Sequence, residues 1–220
     1  RGEADAMLCG LEGRFSSRIK HIEDIVGLAP GVRALSAMSL IITSKGHYFL
    51  ADTHVRDDPS ADEIAEMTVM CAEHVRRFGI EPQIALLADS DFGSADTASA
   101  VKMRKALALI RERAPSLEVD GEMQADSALS QVIREKVLPT SRLKGAANVL
   151  IMPNLDSANI AYQLTKILAD ALPVGPIILG PAKPAHILTP SVTTRGIVNM
   201  TAVAVVEAQA GDGETAGTKA

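Results

Sequence analysis

Short apolar runs alternate with helix-like stretches along most of this 220-residue chain, and the alternation constrains the fold more than any other feature. Runs with the length and composition of β-strands lie at residues 6–10, 38–43, 48–51, 84–88, 117–119, 149–152 and 177–179. Helical periodicity fills most of the gaps between them. The pattern predicts an α/β fold with three αβα layers and a mostly parallel sheet.

The helix-like stretches have recognisable ends. Helices are predicted over residues 15–26, 98–114, 127–135, 158–171 and 194–209. A further helix begins after Ser60, which has capping-box spacing to Glu63, and ends at Gly79. Residues 44–46 form a hairpin-sized loop, so the segment 47–51 is expected to be the antiparallel exception in the sheet.

Composition argues against two classes of partner. The net charge is −5 and most basic residues are scattered, which is not typical of a nucleic-acid-binding surface. No apolar run approaches the ~18 residues of a membrane span. The two cysteines have no metal-ligand spacing and fit a reducing compartment. We therefore expect a cytoplasmic protein with neither a nucleic-acid nor a membrane partner.

One basic cluster lies on the predicted 98–114 helix. The apolar stripe of that helix predicts that the cluster is its solvated face. The cluster consists of Arg104, Lys105, Arg111 and Arg113.

Two strand-like runs end in polar loops, where open α/β sheets bind their ligands. The first, NVLIMP (148–153), leads into a loop in which Asp156 or Ser157 is expected to cap the next helix. Asn154, Asp156 and Asn159 are expected to face a polar ligand there.

The second run, PIILG (176–180), leads to a single cation, Lys183. Pro184 biases Lys183 away from helical backbone, which holds the amine where a phosphate or carboxylate would meet it. The two loops together predict a pocket for an anionic group. Ordinary strand-to-helix connections explain the same residues about equally well.

Two further strand ends are weaker candidates. In DSDFGS (89–94), Ser90, Gly93 and Ser94 either contact the ligand or form a structural turn. Acidic residues beside a histidine follow another strand, and they fit a solvated turn better than a metal cluster. These are Asp52, His54, Asp57 and Asp58, and we predict no metal site.

Several segments resemble one protein family in order and spacing. They are LCGLEGRF (8–15), FLADTHVRDDPSADEIAEM (49–67), LLADSDFGS (86–94), VDGEMQADSAL (119–129), NLDSANIAYQL (154–164), GPIILG (175–180) and KP (183–184). They resemble the phosphate acetyl/butyryltransferase family. Within it they are most similar to the C-terminal domain of the bacterial hybrid NADP-dependent malic enzymes.

The resemblance implies a two-lobed fold like that of the isocitrate and isopropylmalate dehydrogenases, with the N-terminal part of the first lobe absent from this chain. Residues 1–33 would end the first lobe, and residues 34–180 would form the second. Residues 181–209 would supply a pocket loop and a C-terminal helix that returns to the first lobe. Residues 210–220 lack an apolar anchor and are expected to be disordered.

The resemblance also bears on catalysis. Active family members resemble one another in a Ser-Arg pair after the Lys-Pro and in an Asp before Ile-Val-Asn. This chain has Thr189, Pro190 and Gly196 at those positions. Loss of a general base costs ~10²–10⁴ in rate, and loss of an electrostatic donor costs ~10²–10³. No catalytic residue is therefore expected, and Thr189 is kept only as a ligand contact.

The family resemblance implies a regulatory domain that binds acetyl-CoA, or a related acyl-CoA, as an allosteric effector. The regulated activity would be conversion of malate to pyruvate and CO2 (oxaloacetate-decarboxylating) by an N-terminal malic enzyme domain in cis. NADP and Mg or Mn would belong to that domain, since no GxGxxG follows a strand here.

Two alternatives stay open. One is an active phosphate acetyltransferase, which converts acetyl-CoA and phosphate to acetyl phosphate and CoA and would use Arg195. The other is a structural oligomerisation domain. In each case we expect a homodimer or larger homo-oligomer, formed through the apolar hairpin 38–51 and the helix 158–171.

Overall fold

The structure is a computed structural model that describes residues 3–217, with side chains described as far as residue 210. Its strands are β1 Met7–Gly10, β2 Ser36–Thr43, β3 Gly46–Ala51, β4 Gln83–Leu87, β5 Glu118–Met123, β6 Val149–Ile151, β7 Leu172–Leu179 and β8 Ala185–Leu188. Its helices are α1 Phe15–His21, α2 Ala61–Arg77, α3 Ala98–Arg113, α4 Ala125–Leu129, α5 Gln131–Val137, α6 Leu155–Leu168 and α7 Thr194–Gly217. A π-helical turn, Ile22–Val26, continues α1.

Six strands form one mixed sheet in the order β5-β4-β6-β3-β2-β7. The pairs β5–β4, β4–β6 and β6–β3 are parallel, which confirms the prediction of a mostly parallel sheet. The hairpin at residues 44–46 is present, but the antiparallel exception is β2 rather than the segment 47–51. The prediction was wrong on this point because β3 takes its direction from β6, a partner far away in sequence.

Helices cover both faces of this sheet. Side chains alternate along each strand, so Ile84 and Leu86 of β4 point to one face while Ala85 and Leu87 point to the other. The first face packs against α2 and α3, and the second packs against α4 and α6. The predicted αβα layering is therefore confirmed.

Strands β1 and β8 pair in parallel as a separate two-stranded sheet. Gly10 makes the pairing possible, since a Cβ at that position would lie 2.1 Å from the Leu188 carbonyl oxygen, and its φ is +127°. Helix α7 packs on β1, β7 and β8. Strand β8 was not predicted from the sequence, because it has only four residues and one of them is a histidine.

The helix ends differ from the predictions by a few residues. The capping box of α2 is confirmed: Ser60 and Glu63 exchange both hydrogen bonds. The predicted helix 127–135 is two helices, because Ser130 ends α4 and caps α5. No helix within residues 3–217 is long and apolar enough to cross a bilayer.

Helix α7 continues to Gly217, past its predicted end at residue 209. It therefore runs through most of the segment predicted to be disordered, and residues 218–220 lie outside the described residues. Once a helix is nucleated and anchored, each further residue gains a backbone hydrogen bond at small cost, even without apolar contacts. The anchor here is provided by Met200, Val203 and Ala204, which are buried.

Candidate functional site

The loop after β6 uses most of its polar side chains for local structure. Asn154 caps α6 by accepting the Ser157 N–H at 2.9 Å, so the predicted caps, Asp156 and Ser157, were wrong. Asn159 donates its side-chain amide to the Thr53 carbonyl at 3.3 Å and so ties α6 to the loop after β3. Asp156 is exposed in the first turn of α6, where its charge favours the helix dipole.

An acidic cleft of about 560 Å³ lies between this loop, the loop after β3 and α3. Its charged walls are Asp57, Asp58, Asp156 and Lys102. Lys102 pairs with Asp58, so two of the three carboxylates have no cationic partner among the described residues. A phosphate in this cleft would be repelled, contrary to the prediction of an anion pocket at this loop.

Lys183 lies elsewhere on the molecule, in the connection between β7 and β8. The neighbouring Pro184 carbonyl accepts the Met7 N–H at 2.9 Å, and Ala182 N–H donates to the Gly27 carbonyl at 2.9 Å. The Lys183 side chain is exposed. Two strands separate β7 from β6, which corresponds to about 14 Å of sheet. The two predicted loops therefore do not adjoin in this chain.

Of the three positions predicted to have lost catalytic groups, Thr189 and Pro190 lie between β8 and α7, and Gly196 lies in the first turn of α7. Thr189 Oγ1 is 3.3 Å from Ser191 Oγ, and the Gly196 N–H donates to Thr193 Oγ1 at 3.1 Å. A Cβ at Gly196 would lie 2.8 Å from Val192 Cγ2. An aspartate at position 196 therefore requires the Val192 side chain to move.

The same loop is poor in charge. Residues 189–194 include no ionisable side chain, and Pro190 is exposed. Arg195 is exposed and is the first charged residue after β8. Since β8 lies between Lys183 and Thr189, about 13 Å of strand separates these two predicted ligand contacts.

The DSDFGS loop is hydrogen-bonded to the buried carboxylate of Glu122. The Ser90 hydroxyl donates to Glu122 Oε1 at 2.7 Å, and the Gly93 N–H donates to the same oxygen at 2.8 Å. Ser94 Oγ accepts a backbone N–H within its own loop. These groups therefore support the loop, and neither Ser90 nor Gly93 has a donor left for a ligand.

His54 was predicted to lie in a solvated turn, but its side chain contacts residues of several elements. Its ring contacts Phe15 and Tyr162, with centroids 5.2 and 6.2 Å away. Its Nδ1 is 2.8 Å from Thr53 Oγ1, which in turn is 2.8 Å from Ser39 Oγ. Burial lowers the pKa of His54 to about 4, with a smaller contribution from a nearby lysine. The ring is therefore neutral at pH 7.

Asp52 shapes the loop that carries His54. Its carboxylate accepts three backbone N–H groups, from His54 at 2.9 Å, Val55 at 3.0 Å and Arg56 at 3.2 Å. Burial nevertheless raises the pKa of Asp52 to about 6. Within residues 3–210, no group of three His, Cys, Asp or Glu side chains is placed to hold a metal ion.

A buried carboxylate and two histidines join α7 to the rest of the molecule. Glu207 Oε1 is 3.3 Å from His74 Nε2, and Oε2 is 3.0 Å from His186 Nε2. Nδ1 of His186 accepts the Ile178 N–H at 3.1 Å, which leaves Nε2 facing Glu207. Nδ1 of His74 lies 3.2 Å from the Met70 carbonyl oxygen.

The protein family follows from comparison with known proteins. A family profile described as phosphate acetyl/butaryl transferase matches residues 1–205. The chain belongs to this family. A phosphotransacetylase from Streptococcus pyogenes superposes with a TM-score of 0.89 at 30% identity, covering 94% of this chain and 64% of that one. One from Staphylococcus aureus gives 0.86 at 28% identity, with the same coverage.

Relatives of two kinds have similar sequences. The chain is 57% identical to an NAD-dependent malic enzyme of Rhizobium meliloti over 94% of its length, and 51% identical to an NADP-dependent malic enzyme of Escherichia coli over 95%. It spans only 27% and 28% of those two proteins. It is 38% identical to a phosphate acetyltransferase of Paracoccus denitrificans over 94% of its length, and it spans 67% of that enzyme.

Proposed function

We propose that this chain is the C-terminal, phosphotransacetylase-like regulatory part of a malic enzyme. It binds acetyl-CoA as an allosteric effector and does not itself transfer acyl groups. The observation that carries the proposal is the uncharged segment 189–194, followed by Gly196 in the first turn of α7, where acyl transfer would need a base and a charge stabiliser.

The relatives support the malic enzyme context. Identity to the malic enzymes reaches 57%, against 38% for the phosphate acetyltransferase. The malate-oxidising chemistry, a nicotinamide coenzyme and a divalent metal would belong to the rest of such a protein, as the N-terminal domain in cis. The names of the relatives include both NAD and NADP, so the choice of coenzyme is left to that domain.

Of the predicted ligand contacts, we keep as direct contacts only the side chains that are not used in the protein's own hydrogen bonds. Lys183 is exposed and has no hydrogen bond or ion pair within the described side chains, and the Thr189 hydroxyl has only a long contact with Ser191. Asn154 and Asn159 hold the loop in position and do not contact the ligand directly. In the proposed two-lobed arrangement, residues 1–33 end the first lobe and residues 181–209 return to it, and the first lobe would complete the cleft.

We also propose self-association through α6. This helix exposes an apolar stripe at i, i+4, i+7 and i+8, which consists of Ile160, Leu164, Ile167 and Leu168. The predicted contribution of the hairpin 38–51 is not supported, because β2 lies between β3 and β7 and most of its side chains are buried. A cytoplasmic location is part of the same proposal.

Calorimetry of the full-length protein with acetyl-CoA tests the binding. We expect saturable heat, and Lys183→Ala should weaken binding about tenfold, or about 1.4 kcal/mol, because a CoA phosphate loses its cation. Lys45→Ala is the matched control, since Lys45 is an exposed lysine in the β2–β3 turn. Absence of heat at about 1 mM acetyl-CoA would favour the structural oligomerisation domain instead.

A further inference from the structure

A second cleft, of about 390 Å³, lies at the opposite edge of the sheet from β7, between α3, β5 and residues 138–142. We call it the β5-edge cleft. Its polar walls are Arg104, Arg111, Arg142, Asp120 and Glu122, and Leu107 forms part of its apolar wall. Two of its arginines belong to the basic cluster that was predicted to be a solvated face. That prediction was wrong for Arg104 and Arg111.

The two carboxylates of the cleft differ in how fully they are hydrogen-bonded. Asp120 Oδ1 accepts from Arg111 Nη2 at 2.9 Å and from the Gly121 N–H at 3.0 Å. Its Oδ2 accepts from Ser141 Oγ at 2.8 Å and from the Arg142 N–H at 2.7 Å. Asp120 is therefore saturated, and it holds the 138–142 segment in place as a wall of the cleft.

Glu122 is fully buried and only half satisfied. Its Oε1 accepts from Ser90, Gly93 and Arg104, at 2.7, 2.8 and 2.8 Å. Its Oε2 has no hydrogen-bond partner. An unsatisfied buried acceptor costs ~1–3 kcal/mol, more when it is charged. A donor that enters the cleft would remove this cost.

Donors in the same cleft also lack partners. Arg111 Nε is buried without a hydrogen bond. The exposed guanidinium of Arg142 has no ion pair among the described side chains. Three guanidinium groups thus face two carboxylates, one of which has an unpaired oxygen. Arg104 is paired with both Glu122 and Asp96, so the donors free for an anion are Arg111 Nε and the Arg142 guanidinium. Guanidinium geometry suits a carboxylate or a phosphate.

We propose that the β5-edge cleft binds a small anionic metabolite that also carries a hydroxyl group, of the phosphate-ester or hydroxycarboxylate type. The anionic group binds between Arg111 and Arg142, and the hydroxyl donates to Glu122 Oε2. The volume of the cleft is near the lower end for ligand pockets and fits a molecule of a few carbons. The site is separate from the proposed acetyl-CoA cleft, since β5 and β7 are opposite edges of the sheet.

Calorimetry of the full-length protein with three probes tests the proposal: sulfate, glycerol 3-phosphate and tartrate. Sulfate supplies an anion without a donor. We expect at least one hydroxyl-bearing probe to bind with a Kd of about 1 mM or lower, and at least tenfold more tightly than sulfate. The probe that binds identifies which of the two classes the site prefers.

Variants link the binding to this cleft. Arg142→Ala should weaken it at least ~tenfold without unfolding the protein, because the side chain is exposed and only its backbone N–H holds Asp120. Lys105→Ala removes an exposed charge from α3 and should change nothing. Glu122→Gln should abolish the preference over sulfate. Absence of binding at about 10 mM, equal binding of sulfate, or indifference to Arg142→Ala would overturn the proposal.

Discussion

The buried Glu207 should stabilise the fold by a measurable and pH-dependent amount. Burial alone would raise the pKa of this carboxyl, but His186 and His74 lower it from 4.5 to about 2. At ~1.4 kcal/mol per unit, the shift corresponds to about 3 kcal/mol. This stabilisation is fully present above pH 4.5 and is lost as the pH falls through about 2.

The substitution Glu207→Gln tests this value. At pH 7 it should lower the free energy of unfolding by about 3 kcal/mol, because His74 and His186 lose the buried carboxylate that both of them face. At pH 3 the wild-type protein has lost part of the same stabilisation, so the difference should shrink to ~1 kcal/mol. Urea unfolding at both pH values measures it.

Glu73→Gln in α2 is the matched control, since Glu73 is exposed and has no ion pair within the described side chains. It should change stability by less than ~0.5 kcal/mol. A loss below ~1 kcal/mol for Glu207→Gln, or a loss of the same size at pH 3 and pH 7, would refute the ion-pair reasoning.

Three further predictions concern Arg134, His54 and Gly10. Arg134 is buried and donates to four carbonyls, at Ser127, Ala128, Leu143 and Gly145, so chemical denaturation of Arg134→Met should report a loss of ~3–5 kcal/mol. An NMR titration of His54 should have its midpoint near 4, and a midpoint near 6.5 would contradict its burial. Gly10→Ala should lower the melting temperature strongly, because its Cβ would overlap a β8 carbonyl; an unchanged melting temperature would mean that β1 and β8 do not pair as described.

Local chemistry made several features predictable. The capping box of Ser60 and Glu63 depends on a three-residue spacing, and it is present with both bonds. The αβα layering follows from strands and helices that alternate in sequence. The family follows from whole segments, of which VDGEMQADSAL also forms the β5 strand and its buried carboxylates.

Other features depend on the order of strands, which local patterns do not encode. Lys183 and Asn154 follow strands β7 and β6, whose carboxyl ends point the same way. Strands β3 and β2 nevertheless lie between them. Arg104 and Arg111 looked solvated because their partners, Glu122 and Asp120, lie on a different element. Likewise, His186 and Glu207 meet only when α7 packs on β8.

We propose that this family member has lost acyl transfer. The most direct test follows thioester formation from acetyl phosphate and CoA, catalysed by the full-length protein with both substrates in excess and no acetyl-CoA added at the start. We expect no turnover above the blank, because residues 189–194 supply neither a base nor a cation and Val192 occupies the space beside Gly196. Turnover at about 1 s⁻¹ or faster, an ordinary enzymatic rate, would contradict it.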